Sequence, residues 1–195
     1  MDNMKFAEVA GCSISRPRGS HDDLDARGRF RVEHWRDGKL LGVHEFPNAI
    51  TNEGKNALLN MQFNGVAAIA QNAWHMLLVD GAGTPVTAAT DTYAHIGGTN
   101  GWTENTAYAE AGRPLWGQGT STAQTTTNSS QAIFTIASGG SGSVWGLAIV
   151  GGGTAPGTKG DAAGGGVLWA AAQFQSGTQT VANGDQLKVT YAVSC

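Results

Sequence analysis

Charged residues are scarce in this 195-residue chain. Asp, Glu, Lys and Arg make up only 14% of it, against roughly 25% in an average soluble protein. Because Lys and Glu usually occupy exposed helix faces, their scarcity argues against a largely helical fold. The net charge is −3 at pH 7, so there is no overall positive field, and we expect no binding to nucleic acid. A weakly charged surface also solvates poorly alone, and we expect neighbouring molecules to cover part of it.

Cysteines and long apolar runs are also lacking. The spacing of Cys12 and Cys195 does not call for a disulfide, so both are predicted to be free thiols. The first ten residues include Asp2, Lys5 and Glu8 and have no apolar core, which argues against a signal peptide. No apolar run approaches the ~20 residues of a membrane span, so no membrane partner is expected. These features predict synthesis in the cytoplasm.

Glycine, by contrast, is abundant, with 29 residues. Together with many Thr, Ser, Ala and Asn residues, it favours short strands joined by turns. A chain of this length fits one domain. Residues 1–27 are predicted to form an extended, flexible arm, because they have no sustained apolar period and include Gly11, Pro17 and Gly19. Residues 28–195 are predicted to form the folded domain.

A β-hairpin is predicted around Asp37-Gly38. These two residues accept the positive φ angles of a type I′ turn, and an alternating run lies on each side of them. With a two-residue loop, Trp35 faces Leu40 and the pairing continues without interruption. The side chains then expected on the core face are those of Phe30, Val32, Leu41 and Val43. In the same register Val32 faces Val43 and Phe30 faces Glu45, and Pro47 is expected to end the second strand.

One short helix and several further strands are predicted after the hairpin. Thr51 or Asn52 can cap a helix that ends at Asn64-Gly65 and packs through an apolar stripe of Ala57, Leu58, Met61 and Phe63. Residues 151–166 contain eight glycines and are predicted to form a long flexible loop. The further strands are expected over residues 74–79, 125–137, 143–150, 167–174 and 187–193. The predicted fold class is therefore mainly β: an antiparallel β-sandwich or jelly roll with one short helix and the N-terminal arm.

Phosphate- and dinucleotide-binding patterns fail on inspection. Gly54-Lys55 resembles the end of a phosphate-binding loop. However, Ala49 stands in place of its first glycine, and Asn56 in place of the Ser or Thr that binds magnesium. The glycines that begin at Gly151 lack the following helix of a dinucleotide-binding loop.

The histidines show none of the spacings of a zinc site, and the predicted hairpin register places His34 and His44 on opposite faces. We therefore predict no catalytic residue, no metal ligand and no cofactor. The least favoured alternative is a glycan hydrolase that uses Glu104 and Glu110 as a pair of carboxylates.

The six tryptophans fall into different surroundings. Trp74, Trp145 and Trp169 lie in apolar strands and are predicted to belong to the core. Trp102 and Trp116 lie in more polar surroundings and are predicted to be exposed interface anchors. If both side chains are exposed, they could also stack on sugar rings, as in a carbohydrate-binding module.

Several short blocks resemble the small structural proteins of tailed bacteriophages. One block, at residues 48–59, begins Asn-Ala-Ile-Thr-Asn-Glu-Gly and comes directly after the hairpin. Further similarity lies in residues 29–33, 37–39, 102–104, 113–116, 144–147 and 184–191. The resemblance covers roughly residues 28–195 and does not extend to the arm.

The resemblance implies a virion structural protein and, by size, a capsid decoration (cement) protein rather than an enzyme. Such a protein would bind as a homo-oligomer to the major capsid protein or other virion proteins, and many weak contacts would add up to stabilise the shell. The alternatives are a tail, collar or fibre component and, second, a carbohydrate-binding module. The residues predicted to bind the partner are Arg16, Arg18, Arg27, Arg29, Trp102 and Trp116, of which the arginines would pair with acidic capsid groups.

Overall fold

The structure is a computed structural model, and it describes residues 26–83, 85, 87–139 and 142–195. Most of the predicted arm, with Cys12, Arg16 and Arg18, lies outside this part. The strands are β1 (Arg27–Arg36), β2 (Lys39–Ile50), β3 (Trp74–Asp80), β4 (Glu104–Asn105), β5 (Thr125–Thr127), β6 (Ala132–Thr135), β7 (Ser143–Gly151), β8 (Val167–Gln173), β9 (Gln179–Thr180) and β10 (Gln186–Ser194). The α-helix, α1, spans Asn52–Phe63, and short 3-10 helices span Gln71–Ala73, Tyr93–Gly97 and Thr99–Gly101. The mainly β prediction is confirmed.

The strands pair antiparallel in the order β4-β3-β7-β8-β2-β1-β10-β5, with β6 also on β10 and β9 also on β7. β2 belongs to both halves of this arrangement. Its first part pairs with β1, whereas Ala49 and Ile50 pair with β8. The jelly-roll arrangement stays a prediction.

The main core lies between the two halves. It contains Phe30 and Tyr191 from the β1–β10 half and Met76 and Trp169 from the β3–β7–β8 half, all at most 8% exposed. The indole N–H of Trp169 donates to the Tyr191 hydroxyl across the core, at 3.1 Å.

A second apolar cluster lies on the other side of the β3–β7–β8 half. There Leu77, Val79 and Trp145 pack beneath Tyr93 and Trp102. β3 is therefore buried on both faces, which explains why its sequence is a continuous apolar run rather than an alternating one.

The hairpin is confirmed, but its predicted register is wrong beyond the turn. Asp37 and Gly38 have φ angles of 49° and 73°, and Trp35 pairs with Leu40 as predicted. A β-bulge next to Trp35 then shifts the pairing by one residue, so that Val32 pairs with His44. The other corrected pair is Phe30 with Phe46.

The bulge reverses the faces of the remainder of β2. Leu41 and Val43, predicted in the core, are 48% and 42% exposed. Phe46 is buried in their place. One inserted residue exchanges the two faces of a strand, and this is the reason for the error.

Gly38 is expected to matter through its backbone alone. The space around its Cβ position is open, yet its φ of +73° is costly for any residue with a side chain. Gly38→Ala should therefore lower the free energy of unfolding by about 1 kcal/mol, measured by urea denaturation. Gly42→Ala is the matched control on the same hairpin, because the nearest atom to its Cβ would lie 3.7 Å away and its φ is not in this range. Equal effects at the two glycines would contradict the prediction.

The predicted helix is confirmed. The Thr51 side chain caps it and accepts from the Gly54 N–H at 3.0 Å, and Asn64 follows its last residue. Pro47 does not end β2 as predicted. It lies within the strand opposite Arg29, where no described strand pairs with the other edge of β2, and proline is tolerated on such an edge.

The strand predicted over residues 125–137 is two strands, β5 and β6, separated at Asn128. The Asn128 side chain accepts from the Tyr191 N–H at 2.8 Å and donates to the Val189 carbonyl at 3.0 Å. Beside Val189 and Tyr191, the side-chain amide of Asn128 makes the hydrogen bonds to β10 that a neighbouring strand would otherwise make. The pairing with β10 is therefore interrupted between β5 and β6.

Candidate functional site

The tryptophans predicted as exposed anchors are buried. Trp102 and Trp116 are 1% and 4% exposed, so the expectation of exposure is wrong. Trp102 packs on Trp145, with ring centroids 6.4 Å apart. Trp116 lies edge-on against Tyr191, at 5.0 Å. Their polar neighbours in sequence belong to loops and short strands that cover the sheet, which is why composition alone misplaced them.

Glu104 and Glu110 both have structural partners. Glu104 accepts two hydrogen bonds from the Arg113 guanidinium, at 3.0 and 2.6 Å, and a third from the Gly160 N–H at 2.7 Å. Glu110 accepts from the Thr135 N–H. Three hydrogen bonds from two residues therefore hold the carboxylate of Glu104 in a structural role.

Arg113 is the centre of a buried polar network. Its side chain is fully buried and donates to the Tyr93 hydroxyl, the Pro156 carbonyl and the Asp161 carbonyl, at 3.0, 3.0 and 2.6 Å. Tyr93 in turn donates to the Asp161 carboxylate at 2.6 Å. Burial raises the pKa of Tyr93 to about 12, so the phenol keeps its proton at neutral pH. This network fixes residues 156–161 within the segment predicted to be a flexible loop.

The described arginines of the predicted set lie on the outer face of β1. Arg27 and Arg29 alternate along this strand with buried residues. Arg29 is 3.8 Å from Glu45 on β2 and its side chain is 65% exposed. Arg31, on the same face, pairs with both Glu45 and Glu33. This face therefore carries interleaved charges of both signs, whereas Arg16 and Arg18 lie outside the described residues.

His34 and His44 share the inner face of the hairpin, contrary to the prediction, because of the bulge. His34 hydrogen-bonds Asp185 at 2.7 Å. His44 contacts the Ser176 hydroxyl at 3.2 Å and packs edge-on against Phe174, with ring centroids 5.3 Å apart. Burial lowers the pKa of His44, and so does the neighbouring His34. In catalytic serine–histidine pairs, a third group orients the imidazole. In this structure, the group that packs against the His44 imidazole is the aromatic ring of Phe174.

Apolar side chains are exposed at the end of α1 and just beyond it. Leu59, Phe63 and Val66 are 48%, 80% and 51% exposed. Leu59 and Phe63 are four residues apart on the helix and therefore lie on one side of it. We call residues 59–68 the α1 surface. Phe63 was predicted to pack inward, and that prediction is wrong.

Contacts on the opposite side of α1 explain why Leu59 and Phe63 point outward. Gly54 is buried, and a Cβ there would lie 2.7 Å from the Trp169 carbonyl oxygen. Leu58 packs against the main core. The helix thus rests on β8 through Gly54 and Leu58, which turns Leu59 and Phe63 outward.

The α1 surface carries no charge. Between Lys55 and Asp80 the sequence has no Asp, Glu, Lys or Arg, and the exposed polar residues beside Phe63 are Asn60, Gln62 and Asn64. An exposed apolar group rimmed by neutral amides has the composition of an interface core, from which charges are depleted and in which aromatic residues are enriched. The uncharged stretch is visible in the sequence, and it is the signal that sequence reasoning missed.

Within the described residues, no group of three or more His, Cys, Asp or Glu is placed to hold a metal ion. No helix in that same part of the chain is long and apolar enough to cross a membrane. Comparison of the sequence with protein-family models matched no family, and comparison with curated proteins found no similar one. The α1 surface is therefore identified as the candidate functional site from its exposed apolar side chains and its lack of charge alone.

Proposed function

We propose that this protein is a virion structural protein, a capsid decoration protein that binds across capsid subunits and stabilises the shell. The observation that carries the proposal is the α1 surface, where a phenylalanine that is 80% exposed stands in a neutral, apolar stretch on a β-rich domain. The resemblance of residues 28–195 to small phage structural proteins supports the same class. A jelly-roll topology and a homo-oligomeric state belong to this proposal.

The proposed mechanism is mechanical rather than chemical. Phe63 and Leu59 insert into an apolar depression of the capsid, and burial of their side chains supplies most of the contact energy. The mixed charges beside Arg27 and Arg29 form a polar rim that orients the protein, with Arg16 and Arg18 adding contacts to acidic capsid groups. A protein that binds only the assembled shell stabilises it by mass action. Several linked copies multiply this effect.

Phe63 is expected to be a hot spot of this contact. Phe63→Asp should weaken binding to the particle at least tenfold, because it places an unpaired charge in the apolar centre of the interface. Binding is measured by co-sedimentation of the purified protein with particles assembled without it. The fold should be unaffected, since the side chain is 80% exposed.

Leu41→Asp is the matched control, because Leu41 is also exposed, at 48%, but lies on the hairpin. It should leave binding within about twofold, as expected for a residue outside a hot spot. Loss of binding with Leu41→Asp and none with Phe63→Asp would contradict the assignment of the α1 surface.

Electron cryo-microscopy of the particle tests the location. Regular density over the whole shell is the expected result. Density confined to the tail or collar would instead favour the alternative virion component. Absence of the protein from the particle would overturn both virion proposals, and glycan binding would then be tested next.

A further inference from the structure

Asn-Gly pairs occur three times in the sequence, at residues 64–65, 100–101 and 183–184. Asparagine is a chemically labile residue, and its side-chain carbonyl carbon can be attacked by the backbone nitrogen of the next residue. A glycine in that next position has no side chain, so it hinders this attack least. The three pairs share the same local sequence, and the structure around each pair therefore decides where the reaction is fast.

The pair Asn64-Gly65 is the least protected. Both residues are exposed, and the Gly65 N–H has no hydrogen-bond partner among the residues that the structure describes. The N–H groups of Asn64 and Val66 both donate to the Asn60 carbonyl, at 3.0 and 3.3 Å. Residues 62–68 are all exposed, so the rotation that brings the Asn64 side chain to the Gly65 nitrogen displaces no buried group.

The pair Asn183-Gly184 is protected by a backbone hydrogen bond. Its attacking group, the Gly184 N–H, donates to the Ile136 carbonyl at 2.8 Å. The next residue, Asp185, is fully buried, and a rotation about Asn183 would displace it. The reaction at Asn183 therefore requires local opening of the structure first.

The pair Asn100-Gly101 is anchored by the residue that follows it. The Trp102 N–H donates to the Thr99 carbonyl at 3.1 Å and closes a turn around the pair. Trp102 is 1% exposed, so a rotation about Asn100 would displace a buried indole. This pair too has to open before it can react.

We infer that Asn64 is a site of spontaneous deamidation that inactivates the α1 surface as the free protein ages. The Gly65 nitrogen forms a bond to the side-chain carbonyl carbon of Asn64 and loses its proton, and the side-chain nitrogen leaves as ammonia. Water then opens the resulting cyclic imide at either of its carbonyls. The product at position 64 is aspartate or isoaspartate, and it carries a carboxylate in place of a neutral amide.

A carboxylate at position 64 changes the chemistry of the α1 surface. Between Lys55 and Asp80 the sequence has no Asp, Glu, Lys or Arg, so no basic residue of this stretch can pair with the new charge. The charge stands next to Phe63, which is 80% exposed. The consequence rests on the proposed function: contact with the capsid would desolvate the new charge, and binding would weaken.

Peptide mapping by mass spectrometry tests the site. Full-length protein is incubated at mildly alkaline pH, and the deamidated fraction at each Asn-Gly pair is followed with time. Asn64 should react faster than Asn100 and at least about fivefold faster than Asn183, because a hydrogen bond of ordinary net strength has to open first at Asn183. A rate at Asn64 equal to or below the rate at either of the other two pairs would overturn the inference.

Co-sedimentation with particles assembled without the protein tests the consequence. Asn64→Asp should weaken binding at least about threefold, because its charge is desolvated without a partner. Asn64→Gln is the matched control, since it keeps a neutral amide that cyclises more slowly through a larger ring. It should retain binding after an incubation that weakens the wild type.

Phe63→Asp separates failure of this inference from failure of the proposed function. Full binding by Asn64→Asp together with weak binding by Phe63→Asp would overturn the inactivation alone. Full binding by both variants would refute the capsid contact on which the inactivation rests. The rates of deamidation are measured on the free protein, so they test the modification site in either case.

Discussion

Glu104→Gln is expected to lower the free energy of unfolding by about 3–5 kcal/mol, because it leaves the Arg113 guanidinium buried without its counter-charge. The side chains of the pair are 2% and 0% exposed, so water cannot replace the lost carboxylate. The amide also places an N–H₂ group where the carboxylate now accepts from Arg113 and Gly160. Urea denaturation followed by circular dichroism measures the effect.

Glu110→Gln is the control for this prediction. Glu110 is only partly buried and accepts from a single backbone N–H, that of Thr135. Its replacement should cost about 1 kcal/mol, the usual net value of one hydrogen bond. If Glu104→Gln costs no more than Glu110→Gln, Arg113 is not buried in the way that we describe.

Asp185→Asn is expected to be the second most destabilising change, at about 2–3 kcal/mol near neutral pH. The Asp185 side chain is fully buried and accepts from His34 at 2.7 Å and from the Ala182 N–H at 2.8 Å. Arg36 adds two hydrogen bonds, at 2.7 and 2.9 Å. Because the Arg36 side chain is 44% exposed, solvent screens part of its charge, so the expected effect is smaller than that of breaking a fully buried ion pair.

The effect of Asp185→Asn should depend on pH with a definite sign. The hydrogen bonds from Arg36, above all, hold the pKa of Asp185 well below its ordinary value of 3.8. A depressed carboxyl pKa stabilises the folded state at pH values above the unfolded pKa, and this contribution is lost as the pH falls toward the folded pKa. The difference in free energy of unfolding between wild type and Asp185→Asn should therefore shrink as the pH falls below about 4. A difference that grows below this pH would contradict this account.

Local patterns in the sequence predicted the elements that depend on neighbouring residues. Asp37-Gly38 specifies a turn with positive φ at both positions, and Thr51 caps α1 as expected. The bulge beside Trp35 was not predictable, because an inserted residue leaves the local alternation intact on each side of it. The assignment of Leu41 and Val43 to the core failed for this reason alone.

Surroundings in sequence proved a poor guide to burial in the loops. Trp102 and Trp116 have polar neighbours, yet both are buried, because the loops that carry them lie over strands. The network of Arg113 was also missed, since Glu104 and Asp161 reach it through tertiary structure. A single buried charge produces no periodic pattern in a sequence. An isolated arginine in a charge-poor region is nevertheless a sequence feature that indicates a buried polar network of this kind.

β2 has a consequence for the integrity of the whole domain. One continuous backbone supplies hydrogen bonds to β1 in one half and, through Ala49 and Ile50, to β8 in the other. Separation of the halves would require this strand to leave one of its two neighbours, and Phe46, just before that junction, is buried in the core that both halves share. In the part of the chain that the structure describes, a force that pulls the two halves apart must therefore break main-chain hydrogen bonds of β2.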